Sequence, residues 1–313
     1  MSRTGVSILR LTALALAVGF TATRIGVVLH ELLGHGAAAV GVGGEVTAVR
    51  LFWFAGGWVS YREVPADDGL IVTLAGIAVE LVLGLGLWIG LRNRASLASG
   101  IVRTMGAGLI LHGCWYLATG TWHGYGDGWM VHRELADQRW MVAIPAGVTC
   151  CWFAFAGAQR MFGPLAATVS GSRRVRVAGT LAAVVMGGAV HVAAAHTEMI
   201  VRSDAVYARV GRSEQERAVD RELAQWLADQ RQRGMEPSAS VRAETEAAIE
   251  RRHRPFPFAR LLLLASVLAA VVGVIRSPVL PAEREVSGRL LRVASTCAVV
   301  SLGMVIALDA VLS

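Results

Sequence analysis

Seven long runs of apolar residues, separated by shorter polar stretches, set the frame of this chain. A helix needs about 20 apolar residues to cross a bilayer. Runs near 8–42, 69–91, 100–120, 140–162, 177–196, 259–276 and 289–312 meet that length. The first is long enough for one tilted helix or for two short ones broken near Thr21-Ala22-Thr23. Taken as one, it places Arg3/Arg10, Arg92/Arg94/Arg103, Arg160/Arg173/Arg174/Arg176 and Arg276/Arg284/Arg289/Arg292 on a single side. Arginine-rich short loops stay on the cytoplasmic face, so the N-terminus is expected inside and the C-terminus outside. Splitting the first run would reverse every later loop. The pattern predicts an all-α polytopic membrane protein of seven transmembrane helices. It has a membrane core over 1–196, an extramembrane helical segment over 197–258 and two C-terminal spans over 259–313.

Two stretches depart from the apolar pattern. Between the first two spans, residues 44–64 hold two β-rich runs around Ala55-Gly56-Gly57, which is a hairpin signal. One reading is an interfacial loop anchored by Trp53 and Trp58. The other is an edge strand with which an extended peptide can pair. Within 197–258, Ser213 to Arg233 reads as a charged helix with Ala218, Leu223, Trp226 and Leu227 on its apolar side. Pro255-Phe256-Pro257 stops that segment before the next span.

Composition agrees with the pattern. A mean hydropathy of +0.52 with 54% hydrophobic residues excludes an ordinary soluble domain. All 30 basic residues are arginine, and the net charge is +7. They cluster in short loops beside the spans, so the charge calls for membrane orientation rather than nucleic acid. Cys114, Cys150, Cys151 and Cys297 lie inside apolar runs without metal-knuckle spacing and are expected as packed thiols. The first span has no small-residue cleavage site and is expected to be retained in a bacterial plasma membrane.

The candidate chemistry is concentrated in His30-Glu31-Leu32-Leu33-Gly34-His35. Ionisable groups at membrane depth are costly and point to function. The stretch is one residue longer than His-Glu-x-x-His, in which two histidines hold Zn²⁺ and the glutamate works on the metal's water. At about 100° per residue, an i,i+4 pair sits roughly 40° apart around an α-helix and an i,i+5 pair roughly 140° apart. A π-bulge absorbs one extra residue, and Gly34 is where the backbone can yield. Glu80 is a second carboxylate inside a span. Gly126-Asp127-Gly128 and the nearby His123 follow the third span, and either Asp127 or His123 can complete a three-ligand site. Arg24 lies unusually deep and is expected as an ion-pair partner, with Glu80 one candidate, or at a helix break.

This ordered set resembles the site-2 protease family of membrane zinc metalloproteases. That family carries His-Glu-x-x-His, a β-hairpin region, Ala-Gly-Pro-x-x-Asn in a later span and a Leu-Asp-Gly motif. His30, Glu31 and His35 match the first motif, Ala75-Gly76 the Ala-Gly, and Asp127-Gly128 the Asp-Gly, over roughly residues 25 to 130. Ile77 stands for the family's Pro, Glu80 for its Asn and Gly126 for its Leu. The resemblance implies Zn²⁺ held by His30, His35 and Asp127, with Glu31 as the catalytic base. Glu80, His123 and Arg24 would orient substrate or support the ligands. The implied partners are the lipid bilayer and a membrane-associated protein substrate, with no nucleic acid. Two rival readings remain open. His191 and His196, with His112, can be read as haem ligands on facing spans. The chain can also be read as an inactive relative that binds or regulates.

Overall fold

The computed structural model describes residues 2–94, 96–202, 204–278 and 286–313. Arg284, one of the arginines placed on the cytoplasmic side above, lies outside them. Among the described residues, seven helices are long and apolar enough to cross a membrane: Arg3–Gly41, Ala66–Gly90, Leu97–His123, Trp140–Ala166, Arg173–Val201, Phe258–Arg276 and Gly288–Leu312. The chain is an all-α polytopic integral membrane protein with one small sheet.

The first crossing is continuous but not uniform. It runs as α1 (Arg3–Val28), a π-helix (Leu29–Gly36) and α2 (Ala37–Gly41). Ser2 caps α1 by accepting from the Gly5 amide. Next come β1 (Glu45–Leu51) and β2 (Gly57–Arg62). The hairpin turn is therefore Phe52–Gly56, and Gly57 already belongs to a strand. The pair is antiparallel with Leu51 opposite Gly57 and Glu45 opposite Arg62.

The remaining spans are α3 (Gly69–Gly90), α4 (Leu97–His123), α6 (Trp140–Ala166), α7 (Arg173–Val201), α11 (Phe258–Arg276) and α12 (Gly288–Leu312). A short α5 (Gly128–Leu135) separates α4 from α6. Packing divides the spans into two groups. Helices α3, α4, α6 and α11 lie side by side in chain order, while α7 and α12 flank α1. The π-helix packs on α3 and joins the groups. One apolar cluster, around Leu11, Leu14, Ile101 and Met161, bridges the two groups, and another, around Trp88, Ile110, Cys150 and Phe153, lies within the first. Cys114 and Cys150 are buried and Cys151 half-buried; Cys297, by contrast, is exposed on the apolar surface of α12.

The hairpin leans on α12. Val49 and Leu51 of β1 are buried against Val305, and the Leu51 amide donates to Asp309. One edge of the two-stranded sheet is thereby covered, and no third strand pairs with β2 among the described residues. Beyond α7 come α8 (Ala205–Val210), α9 (Glu214–Gln232) and α10 (Ala239–Arg252). Ser213 and Glu216 form a capping box that starts α9. Helices α9 and α10 pair through Val219, Leu223 and Ile249, with Trp226 and Leu227 alongside. Val219, not Ala218, is the buried partner of Leu223 on this face.

Candidate metal centre

The extra residue in the His-Glu motif is accommodated by the backbone. Throughout Leu29–Gly36 the helix widens, and the Ala37 amide reaches the Leu32 carbonyl five residues back. A π-turn brings residue i+5 above residue i, where an α-turn would swing it away. His30 Nε2 and His35 Nε2 consequently lie 3.2 Å apart. The intervening Leu33 is 56% exposed, so the side chain carried by the longer turn faces outward.

Helix α3 supports this pair by coming very close. A Cβ on Gly76 would lie 2.7 Å from Nε2 of both His30 and His35, and a Cβ on Gly34 would lie 2.4 Å from Gly76 Cα. Small residues at both positions are what permits this approach. One turn earlier, the Val72 carbonyl is 2.8 Å from His35 Nδ1. One turn later, Glu80 is 2% exposed and places an oxygen 3.5 Å from His30 Nδ1. Both Glu80 oxygens also lie 3.0 Å from His112 Nδ1 on α4.

Asp127 arrives from the loop after α4. That helix ends in the left-handed Gly124, and Gly126 also has a positive φ of 49°. A side chain at Gly126 would collide with the Tyr116 hydroxyl at 1.9 Å, and one at Gly128 with the Gly120 backbone at 2.1 Å. The Gly-Asp-Gly sequence is thus a packing requirement on both sides of the aspartate. It sets Asp127 Oδ2 at 2.9 Å from His30 Nε2 and 3.3 Å from His35 Nε2.

These atoms fit a cation. A carbonyl oxygen only accepts, so His35 Nδ1 carries the proton and Nε2 presents a bare lone pair. Glu80 facing His30 Nδ1 favours the same tautomer there. Two such nitrogens beside a carboxylate oxygen are three acceptors with no donor among them, so a proton or a metal ion must hold them together. Asp127 Oδ2 and His30 Nδ1 are both buried without a well-aligned hydrogen bond. A tetrahedral Zn²⁺ with bonds of about 2.1 Å keeps its ligands roughly 3.4 Å apart, close to the separations seen. Where protons rather than a metal ion hold the three together, burial alone would raise the Asp127 carboxyl, but the protonated rings of His30 and His35 outweigh it and hold it well below the usual carboxylate range.

Glu31 lines the same cavity, of about 810 Å³, as both histidines and Asp127. Its Cγ would lie 3.0 Å from a Cβ at Gly57, so the start of β2 rests against it. The turn beside it is fastened from two sides. Arg24 donates to the carbonyls of Phe52, Phe54 and Ala55 at 2.7–2.9 Å. Glu198 of α7 accepts from the amides of Trp53, Phe54 and Ala55 at 2.5–3.0 Å. The hairpin backbone is therefore the hydrogen-bonding partner of both buried charges. Arg24 does not pair with Glu80, and α1 does not break at this depth. Tyr207 of α8 closes the turn from outside: it packs on Phe52 at 5.0 Å and its hydroxyl accepts from the Gly56 backbone. Burial pushes that phenol up, so it stays neutral.

The other sequence candidates separate. His123 lies outside the cluster, where its Nε2 accepts from the Ala259 amide at 3.4 Å. His112 bonds Glu80 between helices. His191 lines the cavity and meets Phe20 edge-on at 4.9 Å, whereas His196 is exposed on α7. Sequence reasoning missed Glu198 and Asp309, although each is a carboxylate near the end of an apolar span, the signal that singled out Glu80. It also missed Tyr116, whose i,i+4 spacing from His112 was available. Set against models of protein families, curated proteins and solved structures, the chain matches none.

Proposed function

We propose that this chain is a zinc-dependent membrane endopeptidase of the site-2 protease kind, a hydrolase that cuts a peptide bond of a membrane-associated protein. One observation carries the reading. A π-helix turns an overlong His-Glu motif so that two bare imidazole nitrogens meet an aspartate oxygen, with Glu31 on the same cavity wall. His30, His35 and Asp127 would hold the ion, a nitrogen and oxygen set that suits Zn²⁺. A bound zinc supplies Lewis acidity and brings the pKa of a water toward about 7.

The chain's own residues supply the rest. Glu31 takes a proton from the attacking water and delivers it to the leaving nitrogen. Glu80 fixes the ring of His30, and Val72 that of His35. The free edge of β2, beginning beside Glu31, gives an extended substrate backbone a strand to pair with. Arg24 and Glu198 keep that edge in place by fastening the turn before it. The arginine-rich loops support a cytoplasmic N-terminus in a bacterial plasma membrane, with proteolysis at the membrane.

The test compares membranes from cells expressing wild type with those expressing Glu31→Gln, mapping new protein N-termini by mass spectrometry. The reading expects N-termini in the wild-type membranes that fall by about 10²–10⁴-fold in the variant. The same set at the same abundance in both would contradict it.

A further inference from the structure

We propose that Tyr116 is a catalytic residue of this site, donating a hydrogen bond to the substrate oxygen that becomes negative as water adds to the peptide carbonyl. The inference rests on the endopeptidase reading and assigns a role that the recognised motifs leave empty. Glu80 stands where the resembled family has Asn, but its oxygens face His112 and His30 and, as a carboxylate, it has no proton to offer. Glu31 must begin the reaction ready to accept a proton. A donor has to come from elsewhere.

Among the described residues, three ring side chains lie against His30: His35, His112 and Tyr116. Only Tyr116 carries a hydroxyl. Its ring stands 6.1 Å from His30 and stacks on His112 at 5.9 Å with 17° between planes. Its hydroxyl end reaches the other side of the centre, where it fills the space that the missing side chain of Gly126 leaves beside Asp127. Tyr116 thus spans from one proposed ligand to the neighbour of another. It lines the cavity shared by Glu31, and none of the described residues takes its hydroxyl in a hydrogen bond. A rigid ring held by stacking, with an uncommitted hydroxyl on a residue lining the cavity that Glu31 also lines, is a preorganised donor.

The step balances without transfer of the tyrosine proton. As the water oxygen bonds the peptide carbon, the carbonyl π pair moves onto its oxygen and the water proton goes to Glu31. Tyr116 hydrogen-bonds that oxygen. On collapse the pair returns, the C–N bond breaks, and Glu31 passes its proton to the nitrogen.

Binding of a stable mimic tests this without turnover. The probe is a doubly capped phosphinic dipeptide, whose tetrahedral phosphorus and charged oxygens stand for the adduct. Calorimetry on the full chain in detergent compares wild type with Tyr116→Phe, which keeps both ring contacts, and zinc is measured on the same samples. The expected result is equal zinc and binding weaker by about ten-fold or more in the variant. Equal binding by the two zinc-loaded proteins, whether tight or absent, would overturn the role of Tyr116. So would loss of zinc in the variant, which would make the tyrosine a structural support. A wild type that takes up no zinc would instead overturn the endopeptidase reading beneath it.

Discussion

Gly76 shows how much of this centre depends on what a residue lacks. Its α3 backbone touches the two imidazoles because no side chain intervenes, and a single methyl group would sit 2.7 Å from both Nε2 atoms. Gly76→Ala is therefore expected to lower zinc affinity by on the order of ten-fold or more while leaving the helical circular-dichroism signal unchanged. Unaltered zinc affinity would show that the histidines have room the close approach denies them. His30, Glu31, His35 and Asp127 were legible because charge and imidazole stand out against an apolar background. Tyr116 was not, since an aromatic ring inside a span is ordinary until its hydroxyl is seen to meet Gly126. Arg24 stood out as costly, but its partners were hidden because backbone carbonyls carry no mark in a sequence.

At the scale of elements, the decisive feature is the π-helix. Its presence was inferable from arithmetic: histidines five positions apart cannot share a face of an α-helix, and Gly34 offered a yielding point. The same arithmetic makes a prediction. Leu33 points outward at 56% exposure, so deleting it should convert Leu29–Gly36 to an α-turn with the histidines at i,i+4 and both flanks in register. The shortened chain is expected to hold zinc with affinity within about ten-fold of wild type, as measured by competition with a chelating dye. Complete loss of zinc would show that the wider turn shapes the site beyond spacing the ligands. The hairpin was legible from its β-rich runs, but not its fastening. Glu198 and Asp309 come from α7 and α12, more than 140 residues further along the chain, and short-range patterns carry no such information.

For the whole molecule, hydrophobicity alone located all seven spans, because length and apolarity are what the bilayer requires. Which span packs on which was hidden, since lipid-facing and helix-facing positions are equally apolar. The π-helix lying between the α3–α4–α6–α11 group and the α7–α1–α12 group places the candidate centre at the junction of the two. Helix α8 ties the hairpin turn to the Asp127 loop, through Tyr207 at Gly56 and through the Gly126 amide donating to Val210. Ligands from the first span, the third loop and the supports on α3 converge only in the folded chain, so the metal should report on the whole assembly. The most direct measurement is the zinc content of the detergent-purified chain beside Glu31→Gln, His35→Ala and Asp127→Ala. About one zinc per chain is expected in wild type and Glu31→Gln, with at least a ten-fold loss in the two ligand variants. Zinc absent from wild type, or retained in full by His35→Ala and Asp127→Ala, would contradict the account.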